Sequence, residues 1–309
     1  MHEAAGEQAI PSSGFSPEPF EVITRTGLKI AGLATGDAHD PPVLMLHGWL
    51  DNAASFGGVM PLLPGRRLLA IDLPGHGESD HLPSPSGRHF IDWITHVEDV
   101  VDALGLETFE LVGHSMGAAI SMLYAGTRPE RITRLVLIEG LGPLTDDPAK
   151  SPQQARRALI GRARAMGRAP RRLESIEEAI ERMLAARMPM SAHGARVIAE
   201  RNTRAIEGGL EFSYDPLLQT TSLLRLTESH LLAFMAEITA PTLLVRASEG
   251  WPVSDEAASA RLAAFPSIEV AEVSGGHHAH LDEPEETAAH VRRFLGLVPS
   301  KKHSALETK

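Results

Sequence analysis

The chain has 309 residues, 43% of them hydrophobic, a formal net charge of −11 and no cysteine. That length suits one large α/β domain or two small ones. The absence of cysteine excludes disulfides, thiolate metal sites and cysteine nucleophiles, and the acidic balance argues against a nucleic-acid or anionic-membrane partner.

No apolar run approaches the length of a membrane span. Residues 1–7 carry neither a basic n-region nor an apolar h-region. The expectation is a soluble, cytoplasmic protein with no membrane partner.

Residues 1–19 are polar and rich in Pro, Ser and Gly, which predicts a loose tail. Residues 21–26 and 28–34 read as two strands of a hairpin turning at Gly27. Val43, Leu44, Met45 and Leu46 form a short continuous apolar run, the pattern of a strand buried on both faces. It ends in His47-Gly48-Trp49, where Gly48 permits a tight turn at a strand's carboxyl end. A helix is expected over 53–63 and a buried strand over 67–71. The loop from Asp72 to Ser79 is constrained by Pro74, Gly75 and Gly77. Asp72 there is expected to bind loop backbone, and His47 to brace its own loop.

Trp93, Val97, Val100, Val101 and Leu104 recur at helical spacing and predict an amphipathic helix over 91–105. A strand over 109–113 then runs into Gly113-His114-Ser115-Met116-Gly117 and a small-residue helix. This Gly-x-Ser-x-Gly pattern, with a strand before it and a helix after it, puts one serine on a sharp corner. A hydroxyl there projects into a cleft, where a base can take its proton. The helix N-terminus offers free N–H groups to a developing oxyanion. The expected pair of oxyanion donors is the N–H of Met116 and that of Trp49.

Another buried strand spans 135–138 and ends at Glu139. From 143 to 238 the pattern turns helical, with Ser175 and Glu178 spaced as a capping box. This predicts a helical cap over the site, inserted in a core of residues 20–142 and 239–298. Its arginines (Arg156, Arg157, Arg162, Arg164, Arg168, Arg171 and Arg172) read as a solvated face more readily than as an anion site. Strands over 242–245 and 268–273, with helices over 254–265 and 284–296, restore the alternation, and 299–309 reads as a polar tail. Strand–helix alternation implies a mostly parallel sheet with helices on both faces.

A serine on such a corner needs a histidine late in the chain, after the last strand. His277 follows Gly275 and Gly276 in such a loop, and a neutral imidazole takes and returns a proton near pH 7. A metal site built from His277, His278 and His280 is the weaker reading, because histidines adjacent in a loop rarely converge. The acid that orients the imidazole is either Glu139 or Glu249, both at carboxyl ends of strands.

Taken together, His47-Gly48, the Asp72–Ser79 loop, Gly113 to Gly117, and Gly276-His277 followed by Pro284 resemble the α/β-hydrolase superfamily over residues 20–297. Residues 47–56 (HGWLDNAASF) and 207–216 are similar to its serine hydrolase-like group. The resemblance implies an α/β-hydrolase fold with a Ser–His–acid triad and poorly defined substrates. Its commonest acid is an Asp in the turn after strand 242–245, which here reads Ala247-Ser248-Glu249-Gly250-Trp251. Some relatives place the acid after the preceding strand, which favours Glu139. Superfamily members that act on haloalkanes and epoxides use an Asp nucleophile, and Ser115 in that position argues against both activities. The expected function is hydrolysis of a carboxylic ester of a small-molecule acyl substrate through an acyl-enzyme, with no cofactor and no metal. Lactone, amide or C–C bond hydrolysis, or ligand binding without catalysis, are the alternatives on the same scaffold.

Overall fold

The computed structural model describes residues 17–83, 89–168, 171–185, 190–251 and 254–297. Ten strands alternate with nine α-helices among these residues. The strands are β1 Glu18–Ile23, β2 Lys29–Thr35, β3 Pro42–Leu46, β4 Arg67–Ile71, β5 Phe109–His114, β6 Ile132–Ile138, β7 Thr203–Ile206, β8 Gly209–Phe212, β9 Thr242–Glu249 and β10 Ile268–Gly276. The helices are α1 Trp93–Ala103, α2 Met116–Thr127, α3 Ser151–Met166, α4 Ile176–Leu184, α5 Ala192–Arg201, α6 Glu228–Ala236, α7 Asp255–Ala264, α8 Ala279–Asp282 and α9 Pro284–Leu295.

Eight strands form one sheet in the order β1-β2-β4-β3-β5-β6-β9-β10. β1 and β2 pair antiparallel, as do β2 and β4, and every other pair is parallel. The apolar runs bury alternate residues on opposite faces, as a period of two demands. Leu44, Leu46, Leu111, Leu135 and Leu137 pack with Val97, Val100, Ile120, Leu123 and Leu231 of α1, α2 and α6. Val43, Met45, Val112, Val136 and Val245 pack on the other face with Phe56, Met60, Val291 and Leu295.

The order also places the site. After β3 the chain adds β4 on one side, then crosses back to add β5 on the other. The carboxyl ends of β3 and β5 therefore diverge at a topological switch point, where a crevice opens. The two loops leaving it carry Trp49 and Ser115.

Several elements differ from the sequence reading. The N-terminal tail expected through residue 19 falls outside the described residues up to 16, and Glu18 already belongs to β1. The tail at 299–309 lies wholly outside them. Residues 53–63 form two short 3-10 turns, Ala53–Phe56 and Met60–Leu62, instead of one helix. Gly57 and Gly58 disfavour helix and Pro61 lacks an N–H to continue one. The insertion between β6 and β9 is not purely helical. It holds α3, α4 and α5, but also a hairpin of β7 and β8 turning at Glu207-Gly208, where Gly208 has a φ of +76°. Leu210 of β8 bridges to Leu173 and closes a small core with Ala179, Ile180 and Ala195. α6, expected in the cap, instead packs Leu231 and Met235 into the main core beside α2. Among the described residues no helix is long and apolar enough to cross a membrane.

Candidate active site

Ser115 joins β5 to α2 with φ +51° and ψ −110°. For a side chain larger than glycine this backbone costs about 1–3 kcal/mol and persists only where neighbours enforce it. Ser115 N donates to the carbonyl of Ile138 at 2.8 Å, and its own carbonyl accepts from Ala119 at 3.0 Å. Gly113 and Gly117 let the turn close. A Cβ on Gly113 would run into the Gly117 carbonyl, and one on Gly117 into that of Leu46. Among the described residues three non-glycine positions have positive φ: Leu50, Ser115 and Glu139. All three stand around one crevice.

The hydroxyl of Ser115 donates to His277 Nε2 at 2.8 Å, and His277 Nδ1 donates to Glu139 Oε2 at 3.1 Å. His277 and Glu139 are both buried. The Glu139 carboxylate is held by more than the histidine: Ala247 N donates to Oε1 at 2.6 Å and Trp251 N to Oε2 at 2.8 Å. Burial pushes its pKa up, but the hydrogen bonds from His277, Ala247 and Trp251 outweigh burial and hold it below the ordinary glutamate value. Glu249, the other candidate acid, is exposed at the end of β9. The carboxyl end of β9 and the turn after it serve Glu139 instead. Their backbone N–H groups wrap the carboxylate, and a Cβ on Gly250 would strike it.

Trp49 and Met116, the expected oxyanion donors, follow β3 and open α2, and both line the crevice with Ser115 and His277. Met116 is the first residue of α2, where N–H groups lack intrahelical acceptors and the helix dipole favours negative charge. The loop bearing Trp49 is tied down by groups that sequence spacing could not pair. Trp49 Nε1 donates to the Leu218 carbonyl at 2.9 Å, and Asn202 Nδ2 to the Leu50 carbonyl at 2.6 Å. Asn52 Nδ2 donates to the Ile198 carbonyl at 2.9 Å.

The remaining motif residues are braces. His47 is fully buried, with Nδ1 donating to the Gly48 carbonyl and Nε2 accepting from Leu73 N. Asp72 accepts from the backbone of Ala53 and Glu78. It also meets the guanidinium of Arg201 from α5 at 2.8 Å, a partner its own sequence neighbourhood did not reveal. The three neighbouring histidines, expected not to converge, are all buried against the ring of His114 but take different partners. His277 faces Ser115 and Glu139, His278 lies 3.6 Å from Asp51, and His280 packs its ring on His114 and Phe56.

Burial drives His47 and His114 down to about 4 and His76 to about 3, and lowers His280 well below its ordinary 6.5. All four are neutral in the fold, and the unfolded chain gains their protons as pH drops below 6.5. Stability is therefore complete above that value and falls as pH descends from 6.5 toward about 4. His47 and His114 each cost roughly 3 kcal/mol by the end of that window. Thermal midpoints recorded from pH 8 to 4 are expected to drop steeply below 6.5; a flat profile down to pH 4 would contradict this.

The crevice widens into a cavity of about 1200 Å³, above the usual range for a small-molecule site. Its walls include Trp49, Phe90, Trp93, Met183, Met190 and Leu218. None of the seven cap arginines singled out in the sequence lines it.

Residues 41–284 match the model of the alpha/beta hydrolase fold family. The chain belongs to that family. A serine hydrolase-like protein of Danio rerio is 30% identical over 277 residues, covering 86% of this chain and 85% of its own length. Among solved structures, the hypothetical protein PA1622 from Pseudomonas aeruginosa PAO1 superposes with a TM-score of 0.83 at 35% identity, over 92% of this chain and 99% of that one. A thioesterase domain from the curacin biosynthetic pathway gives 0.79 at 26% identity, over 90% and 99%. The chain is thus a hydrolase by family, and its serine, histidine and carboxylate meet at the crevice of that fold.

Proposed function

We propose that this hydrolase cleaves carboxylic esters of a small-molecule acyl substrate through an acyl-enzyme. The observation that carries this reading is the unbroken line Glu139–His277–Ser115 at the mouth of the cavity, with both links within hydrogen-bond reach. Ser115 Oγ attacks the acyl carbon while its proton passes to His277 Nε2. The imidazolium is stabilised by the ionised Glu139, which its backbone donors keep from taking the proton. The carbonyl oxygen becomes an oxyanion held by the N–H groups of Trp49 and Met116. His277 then protonates the leaving alcohol. A water molecule repeats the cycle on the acyl-enzyme, releasing the acid and restoring Ser115.

The apolar walls and generous volume of the cavity support an extended acyl group over a short one. The name of the curacin thioesterase supports thioesters as a second acyl class, since the same attack serves both leaving groups. p-Nitrophenyl esters from acetyl to dodecanoyl are the test. kcat/KM is expected to rise with chain length beyond acetyl and to level off as the cavity fills. A folded protein that binds these esters and hydrolyses none would establish a non-catalytic binder and end the proposal.

A further inference from the structure

The proton-transfer geometry depends on where His277 sits. Gly276, the last residue of β10, still pairs with Glu249 of β9 beyond a register shift after Val273, and Gly275 before it has a φ of +95°. The single-turn helix α8 begins at Ala279. His277 lies between the two, and its backbone carbonyl is anchored from another element.

His114 is that anchor's natural source. It is the residue before Ser115, the last of β5, and fully buried. Its Nε2 lies 2.9 Å from the backbone carbonyl of His277, 163 positions away in the chain. A carbonyl oxygen only accepts, so Nε2 carries the hydrogen. Burial pushes His114 down to about 4 against the opposing pull of Asp51, and in either protonation state Nε2–H stays committed to that carbonyl. The other edge, Nδ1, faces Asp51 Oδ2 at 3.4 Å, and the ring packs against those of His277, His278 and His280 at 5.0, 5.2 and 4.0 Å. Gly48 is glycine for the same packing: a Cβ there would fall 2.7 Å from Asp51 Oδ2 and 2.9 Å from His114 Nδ1.

We propose that His114 is a positioning residue, whose Nε2–H grips the carbonyl of His277 and so sets the imidazole of His277 against Ser115. Consecutive residues then hold both ends of the base, His114 its backbone and Ser115 its ring. The nucleophile and its base move as one unit because the same strand end carries both contacts. His114 touches no reacting atom in this role. The proposal rests on the triad reading above for its catalytic consequence, but the grip itself is a structural claim with its own readout.

The test compares His114→Leu, which removes the donor, with His114→Gln, whose amide reaches a similar point and donates. Active sites are counted with a fluorophosphonate so that kcat is expressed per competent site. His114→Leu is expected to lower kcat about 10²-fold, the scale of a misplacement near 1 Å, with KM within twofold, and His114→Gln to recover most of the loss. Proton NMR provides the activity-independent measurement. The low-field signal of the His277 Nδ1–H shared with Glu139 should persist in the wild type and in His114→Gln and vanish in His114→Leu. Retention of that signal in His114→Leu would overturn the proposal even if the protein hydrolysed no ester at all. Equal loss of active sites in both variants, with kcat per site unchanged, would overturn it too, by showing a residue that only supports folding.

Discussion

Replacing Ser115 with alanine is expected to abolish ester turnover, by a factor on the order of 10⁶ in kcat, the scale seen when a serine nucleophile acting with its base is removed. The fold should survive. Ser115 contributes to structure mainly through its backbone, with its N–H bonded to the Ile138 carbonyl and its carbonyl accepting from Ala119. Alanine has the same difficulty with a φ of +51°, so the strain of the turn stays while the hydroxyl is lost. The thermal midpoint should therefore stay within a few degrees of wild type, and fluorophosphonate labelling should disappear. Turnover unchanged in a folded Ser115→Ala variant would remove the nucleophile from the account.

The second large effect separates the two candidate acids. Glu139→Gln is expected to lower kcat by up to about 10⁴-fold, the loss found when a triad carboxylate becomes an amide. An amide at 139 cannot stabilise the imidazolium. It also puts an NH2 donor group where one oxygen of the carboxylate now accepts, among three hydrogen bonds from His277, Ala247 and Trp251. Glu249→Gln should leave kcat within twofold, because that side chain is exposed. The comparison is made under saturating ester, with thermal midpoints measured alongside. Crippling of Glu249→Gln with Glu139→Gln intact would reverse the assignment of the acid.

That Ser115 and His277 would meet was legible in the sequence for physical reasons. The strand, the Gly-x-Ser-x-Gly corner and the helix lie next to one another in the chain, so local pattern carries them. His277 is distant, yet it follows the last strand of an alternating fold, and chain order narrows the choice. Which carboxylate meets His277 was less legible because two glutamates end neighbouring strands. What decides between them is the turn at 247–251, which folds its backbone N–H groups around Glu139. No residue pattern announces where backbone donors point. The missing Asp in that turn was visible, but that the turn serves another residue's carboxylate was not.

Other features escaped for related reasons. The hairpin of β7 and β8 is only four residues on each strand, too short for a period of two to stand out inside helical sequence. A helix was expected over 53–63, but paired glycines and Pro61 divided it. The contacts of His114 with His277 and of Arg201 with Asp72 span 163 and 129 positions. Such pairings are set by the sheet's crossovers, which bring β5, β10 and α5 to the same end of the molecule.

The measurement that bears most directly on the central claim is mass-spectrometric mapping of the adduct formed by a fluorophosphonate with the folded wild-type protein. One stoichiometric modification is expected, confined to the peptide containing Ser115 and blocked by prior incubation with a substrate ester. A modification mapped to any other residue, or none at all in a protein shown to be folded, would contradict that claim.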